Sequence, residues 1–288
     1  MSGSPPALRL PTGGGKIIKT RGNHMTQNKM NVAFTVNLDG ECFWQGMFEG
    51  TEKRPKTLSM GDYGIKRGLD RVLAVFRAHE IPATFFVPGM IAMRHPDALE
   101  KIQKDGHEIA FHGHTHRPMH SLTKEEIREE FALGTDALKK QTGVSPAGFR
   151  APEGEVTQTA FDMAKEYGYL YSSSLYDRDM PYLRDGLIEI PINWDLHDFP
   201  YFAFNYGPAF PLGQSRVSSY QRVEENYIEE MDAYLYYGLT YVPQFTPQSI
   251  GSPGKIQILE HILEHLDTIR DQVTLYTCKE LAGRFQRS

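Results

Sequence analysis

IAFHGHTHRP, residues Ile109–Pro118, runs a short apolar segment directly into three histidines on alternate positions, His112, His114 and His116. Histidine occurs 11 times in 288 residues, so a chance cluster competes with a site, and the surrounding pattern has to decide. HEIAFH reads as a buried strand. The segment before it, DALEKIQKDG, reads as a short helix closed by Gly106 in the C′ position. Upstream stand the strand ATFFVP, a helix over GIKRGLDRVLAVFRAHE with Ile65, Leu69, Val72, Leu73 and Phe76 at helical spacing, and the strand VAFTVNL.

Downstream the alternation continues. SLTKEEIREEFALGTDALKKQTG places Thr123 and Glu126 at capping-box spacing and ends at Gly143. AGFR, YLYSSS, GLIEIP, LTYVPQF and VTLYT follow as strands. The segments TQTAFDMAKEYG, VEENYIEEMDAYLYYG, KIQILEHILEHLDTIRDQ and CKELAGRF follow as helices. Strands joined by helical crossovers are parallel, and seven or eight such units in one chain favour a closed barrel over an open sheet. The expected fold class is α/β, a distorted (β/α) barrel of seven to eight strands in a single domain over residues 25–288. Residues 1–24, rich in Pro, Gly and basic residues and free of acids, read as a leader that takes no part in the fold. The aromatic-rich stretch from Asn193 to Tyr220 reads as a lid or interface loop.

Composition narrows the function. A formal net charge of -5 without a basic stripe disfavours nucleic acid, and no apolar run approaches the ~20 residues needed to span a bilayer. Two distant cysteines, Cys42 and Cys278, give neither a disulfide framework nor a thiolate zinc knuckle, and suggest a reducing cytoplasm. A cysteine nucleophile is disfavoured because Cys42 should face away from Asp39 and lacks a helix-start environment.

In a parallel barrel the site is built where strands end at their carboxyl edge. There the chain carries NLDGE, HGHTH, RAPEGE, PINWDLHD and TPQS. Alternation along the first strand puts Asn37, Asp39 and Glu41 on one face. A helical turn at Gly113 would put His112 and His116 on one face, with His114 elsewhere. One carboxylate and two imidazoles suit a divalent ion, most naturally zinc, with a coordination position left for water.

These pieces resemble the polysaccharide deacetylase, or NodB-homology, family of carbohydrate esterases. TVNLDGE, HGHTH, GFRAPEG and YSSSLYD match its motifs in order. ATFFVPG, DGHEIAFHGHTH and EIPINWDLHDFP look like the branch that holds cytoplasmic peptidoglycan-deacetylase-like proteins, PuuE-type allantoinases and cyclic imide hydrolases. The resemblance implies a distorted barrel and metal-dependent hydrolysis of a non-peptide C–N bond. It implies Asp39, His112 and His116 as metal ligands and Arg150 as the arginine that orients a catalytic carboxylate. Two positions depart from the pattern: Asn37 and Leu38 replace the usual basic aspartate, and Thr246 stands where a histidine acid is expected.

Glu41 is therefore the first candidate to take the water proton, with Glu153 and Glu155 in reserve, although each also reads as an ordinary loop acid. His197 and Asp198 are placed within reach of the pocket, Asp198 as a catalytic group and His197 as a substrate contact. Glu153 is a further candidate substrate contact. Trp44 and Trp194 offer aromatic faces for a sugar ring or flat heterocycle, against the alternative that they fill the core. Three functions remain open: deacetylation of an acetylated sugar, hydrolysis of a cyclic imide or ureide, and a metal-binding barrel that has lost catalysis. Homo-oligomerisation is expected by analogy with the branch.

Overall fold

The strand read over Val32–Leu38 folds as two short pieces, β1 (Met30–Val32) and β2 (Phe34–Asn37), in the computed structural model, which describes residues 29–202 and 218–286. The expected leader lies outside the described residues, as does the central part of the aromatic-rich loop. The further strands are β3 (Ala83–Val87), β4 (Glu108–Phe111), β5 (Gly148–Phe149), β6 (Tyr171–Ser172), β7 (Tyr182–Arg184), β8 (Leu187–Glu189), β9 (Thr240–Tyr241), β10 (Gln244–Phe245) and β11 (Val273–Leu275).

Eight strands form one sheet in the order β10-β2-β3-β4-β5-β6-β8-β7, and β11-β1-β9 forms a second. Bonds from the Ala33 N–H to the Tyr241 carbonyl and from the Thr35 N–H to the Pro243 carbonyl, both 3.0 Å, stitch the two into one curled surface. All pairings are parallel except the β7–β8 hairpin. That hairpin turns on Asp185 and Gly186, both at positive φ, the arrangement an Asp-Gly turn adopts. On the far side, His197 makes a parallel bridge to Gln244, so the segment after β8 approaches β10 and curls the sheet towards closure.

The central strands β2 and β3 are buried on both faces, as a parallel sheet requires, whereas the edge strand β7 is exposed at Leu183. Phe34, Val36, Phe85, Val87, Phe111 and Phe149 belong to the outer core, packed with helical residues such as Leu69, Leu99, Phe131 and Leu263. Alternate residues, Ala33, Phe86, Ala110, Tyr171, Ile188, Ile190 and Val242, form a separate inner cluster with Cys278, Leu281 and Ala282 of the last helix, Cys278–Phe285. That helix plugs one end of the barrel. Its Cys278 N–H donates to Thr84 Oγ1 (2.8 Å) and its Lys279 N–H to Glu108 Oε2 (2.9 Å), so its first-turn donors are satisfied from the barrel interior.

The helix Lys124–Thr142 carries the expected capping box at Thr123 and Glu126 and ends on Gly143 at φ 81. Short helices absent from the sequence reading, Cys42–Met47 and Gly89–Arg94, cover the open end of the barrel.

Candidate metal centre

β2 ends at Asn37, and the Leu38 N–H still reaches the Phe86 carbonyl at 2.9 Å. Asp39 then leaves the sheet ahead of Gly40 at φ 52 and the helix Cys42–Met47. Two strands along the sheet, beyond β3, His112 follows β4, its N–H bonded to the Val87 carbonyl at the end of β3 at 3.2 Å. Asp39 Oδ1 lies 3.4 Å from His112 Nε2 and 3.5 Å from His116 Nε2, and all three residues are buried. His112 Nδ1 lies 2.8 Å from the Arg150 carbonyl, which fixes the proton on Nδ1 and leaves the Nε2 lone pair facing Asp39.

These separations match a metal site. Ligand atoms bound at 2.0–2.1 Å around a tetrahedral ion stand about 3.3 Å apart. Asp39 Oδ1 is sealed from solvent with no hydrogen-bond partner among the described residues, an arrangement that costs free energy unless a cation meets it. The donor set of one carboxylate oxygen and two imidazole nitrogens suits zinc and similar divalent ions.

The histidines converge through a loop rather than a helical turn. Gly113 and His116 sit at φ 74 and φ 64, so the backbone doubles back twice within four residues. A left-handed histidine is strained and persists only where its surroundings hold it. Glu130, buried on the facing helix, does the holding: Oε2 accepts the His114 N–H (2.6 Å) and the Thr115 N–H (2.9 Å), and Oε1 accepts the Thr115 hydroxyl. His114 takes no part in the cluster; its Nδ1 is tucked against Gly89.

The electrostatics follow from burial against charge. Burial alone would raise the Asp39 pKa, but His116 and His112 outweigh it and hold the carboxyl well below the usual range. Burial lowers the His112 pKa, whereas at His116 the Asp39 charge overcomes burial and raises it.

Glu41 belongs to a different cluster, contrary to the face predicted from strand alternation. The strand stops at Asn37, so the period of two no longer applies at residue 41. Its Oε1 accepts from Arg94 Nη1 at 2.9 Å, and Oε2 lies 3.3 Å from His95 Nε2. Burial opposes ionisation there, yet hydrogen bonds from His95 and Arg94 bring the pKa down to about 2. A carboxylate so held is a weak base.

Nor does Arg150 contact Glu41. It is buried, with Nε on the Ser173 carbonyl (2.9 Å), Nη2 on Ser173 Oγ (2.9 Å) and Nη1 on Thr35 Oγ1 (3.1 Å) and Asn37 Oδ1 (2.9 Å). Its guanidinium lies 4.1 Å over the Phe86 ring, and burial lowers its pKa only to about 10, so it stays charged.

Glu153 sits at φ 58 after the short strand β5, beside His116 and Asp39, and has no hydrogen-bond partner among the described residues. Crowding by protein raises its pKa to about 7, against the pull of His116; solvent reaches the residue and moderates that shift. His197 is half-buried with Nε2 3.4 Å from Thr246 Oγ1, and burial together with Arg150 lowers its pKa.

Asp198 is fully buried, and Oδ1 accepts the Thr246 N–H at 2.8 Å. Burial raises its pKa to about 7. It thus braces the Thr246 turn behind His197. Trp44 is buried with Phe43 and Phe199, and it is Phe43 that meets the His116 ring, at 5.9 Å. Trp194 is 66% exposed. Cys42 is buried and its thiol pKa is pushed far up, which removes it as a nucleophile.

Comparison with known proteins agrees with this geometry. A family model described as polysaccharide deacetylase matches residues 50–172, which include His112, His116 and Arg150 and begin after Asp39. A peptidoglycan deacetylase of Helicobacter pylori is 26% identical, over 88% of this chain and 95% of its own. The crystal structure of a putative polysaccharide deacetylase from Mycobacterium smegmatis superposes with a TM-score of 0.83 at 30% identity, covering 92% of this chain and 94% of that one. PuuE allantoinase, 20% identical, shares the fold with a TM-score of 0.79 over 91% and 92% of the two chains.

Proposed function

This chain belongs to the polysaccharide deacetylase family, hydrolases of non-peptide carbon–nitrogen amide bonds, and from that premise we propose that it releases acetate from an N-acetylated amino sugar at a zinc site held by Asp39, His112 and His116. The observation that carries the reading is the triangle of Asp39 Oδ1, His112 Nε2 and His116 Nε2, with Oδ1 shielded from solvent and otherwise unpaired among the described residues. Bound there, a divalent ion would polarise a carbonyl oxygen and lower the pKa of bound water from 15.7 to about 7.

The chain's own groups supply the rest. Glu41 is committed to Arg94 and His95, and Asp198 to Thr246, which leaves Glu153 as the unpartnered carboxyl beside the triad and the group we assign to proton transfer. Arg150 orients His112 through its carbonyl and Asn37 through its guanidinium. Hydrolysis of a cyclic imide or ureide is the second reading, favoured by the fold shared with PuuE allantoinase and by Asn37 where an acid would serve a conventional base.

No helix among the described residues is long and apolar enough to cross a membrane. Two buried, free thiols support a reducing cytoplasmic setting, and exposed Leu183, Trp194, Tyr236 and Tyr237 support a homo-oligomer.

Zinc content and turnover test the proposal together. Purified protein is expected to hold one zinc per chain, to release acetate from N-acetylglucosamine oligomers, and to lose activity on chelation and in Asp39→Asn. Activity confined to a panel of cyclic imides and ureides would select the second reading. A chain that takes up no divalent ion, or an Asp39→Asn variant of undiminished activity, would refute the metal site.

A further inference from the structure

Asn37 ends β2 where a proton acceptor is expected, and its neighbours dictate which way its amide points. Arg150 carries only donors, so the Asn37 atom 2.9 Å from Nη1 is the carbonyl oxygen Oδ1. The guanidinium cannot swing aside, being fixed on Ser173 and Thr35 and stacked on Phe86. Turning the amide over would oppose two donors and leave a buried one unsatisfied.

The NH2 group is therefore left on the other side of Asn37, away from Arg150. Nδ2 has no hydrogen-bond partner among the described residues, and unlike Asp39 Oδ1 it is not sealed from solvent. Thr35 and Asn37 both reach Arg150, so this face of β2 is the barrel interior, and Asn37 is its residue nearest the open end, two positions before Asp39. One residue, Arg150, thus holds His112 by its carbonyl and the Asn37 amide by its guanidinium.

We propose that Asn37 Nδ2 donates a hydrogen bond to the acyl oxygen of the bound substrate and of the carboxylate released from it. This deepens the amide-hydrolase reading above and rests on it. An amide nitrogen cannot accept the water proton, so Asn37 is a donor built into the acyl pocket, and the chain gains nothing from an acid at that position.

The test uses the zinc-loaded full chain with Asn37→Ala and Asn37→Asp. Asn37→Asp is expected to fold with an undiminished melting temperature, because the new carboxylate pairs with Arg150. Its kcat should fall at least 100-fold, and acetate should bind at least tenfold more weakly, carboxylate now facing carboxylate. Asn37→Ala should lose 10- to 100-fold in kcat, with zinc affinity within threefold of wild type. In 15N-labelled protein, the side-chain NH2 cross-peak that disappears in Asn37→Asp should shift on addition of acetate, a response that does not depend on turnover. Asn37→Asp as active as wild type or more so, or an NH2 signal indifferent to acetate, would overturn the proposal. Zinc uptake is scored separately, so failure of the metal reading is distinguishable from failure of the Asn37 assignment.

Discussion

Gly46→Ala puts the support of the His116 loop to a direct test. In the helix Cys42–Met47, a Cβ at Gly46 would stand 2.4 Å from the His116 carbonyl oxygen, 2.7 Å from its carbon and 3.0 Å from the Thr115 oxygen. The shortest of these is about 1 Å inside ordinary contact, and the obstacle is backbone, which cannot rotate out of the way. In an open helix the change would stabilise by about 1 kcal/mol, whereas overpacking of this kind costs 1–3 kcal/mol, so a net loss of roughly 0–2 kcal/mol is expected. The larger effect is local. Glu130 clamps the loop on its other side, so the strain passes to His116, whose Nε2 belongs to a triangle only 3.4–3.5 Å on its Asp39 edges. Displacing a ligand's support typically costs 10- to 100-fold in metal affinity. Calorimetric zinc titration and thermal melts with and without zinc measure both quantities. Gly106→Ala, at φ 80 with nothing within 4 Å of the new methyl, serves as control: it should cost stability and leave zinc affinity unchanged. A Gly46→Ala chain that is about 1 kcal/mol more stable and binds zinc as wild type does would refute the packing argument.

Two further outcomes follow from the same geometry. Glu130→Ala removes the acceptor of the half-buried His114 and Thr115 N–H groups and should cost about 2 kcal/mol in urea unfolding, together with at least tenfold in zinc affinity; a variant within 0.5 kcal/mol of wild type would show that the clamp is dispensable. At His79, burial lowers the pKa but the hydrogen bond to Asp267 (2.6 Å) outweighs it, so the folded pKa is raised. That stabilisation is fully present below the ordinary histidine pKa of about 6.5 and is lost as pH rises through the folded value. The unfolding free energy of wild type minus that of Asp267→Asn should shrink as pH rises from 5.5 to 8.5, and a difference that stays constant or grows would contradict the sign.

The elements legible in the sequence are those fixed by local chemistry. The Thr123–Glu126 capping box, Gly106 and Gly143 at positive φ, and the β/α alternation all depend on residues within a few positions of one another. The convergence of Asp39 with His112 and His116 was legible because strand ends meet at one edge of a parallel sheet. Glu41 departs from the expected face because β2 ends at Asn37 and the turn at Gly40 breaks the alternation. Glu130 is hard to single out because it sits among surface acids in EEIREEF, although it shares a helical face with Ile127, Phe131 and Gly134, all buried. An acid on a core face was the available signal. Gly46 carried none, since its constraint comes from backbone 70 residues away.

The charge balance of the barrel mouth ties Asn37 to the metal site. Arg150 is a buried cation whose hydrogen bonds all go to neutral acceptors: the Ser173 carbonyl and hydroxyl, the Thr35 hydroxyl and the Asn37 amide oxygen. With aspartate at position 37 that charge would be neutralised on the spot. With asparagine, the positive potential of Arg150 is opposed among the acids by buried Glu189 and then by Asp39, and burial prevents water from screening it. A divalent ion at Asp39, His112 and His116 would then make the interior clearly cationic. Such an interior holds an anionic acyl oxygen better than a neutral one, which is the preference an amide hydrolase needs in its transition state. Asparagine at this position therefore favours the electrostatic half of the same chemistry, and in the mechanism we propose proton transfer falls to Glu153 at the rim.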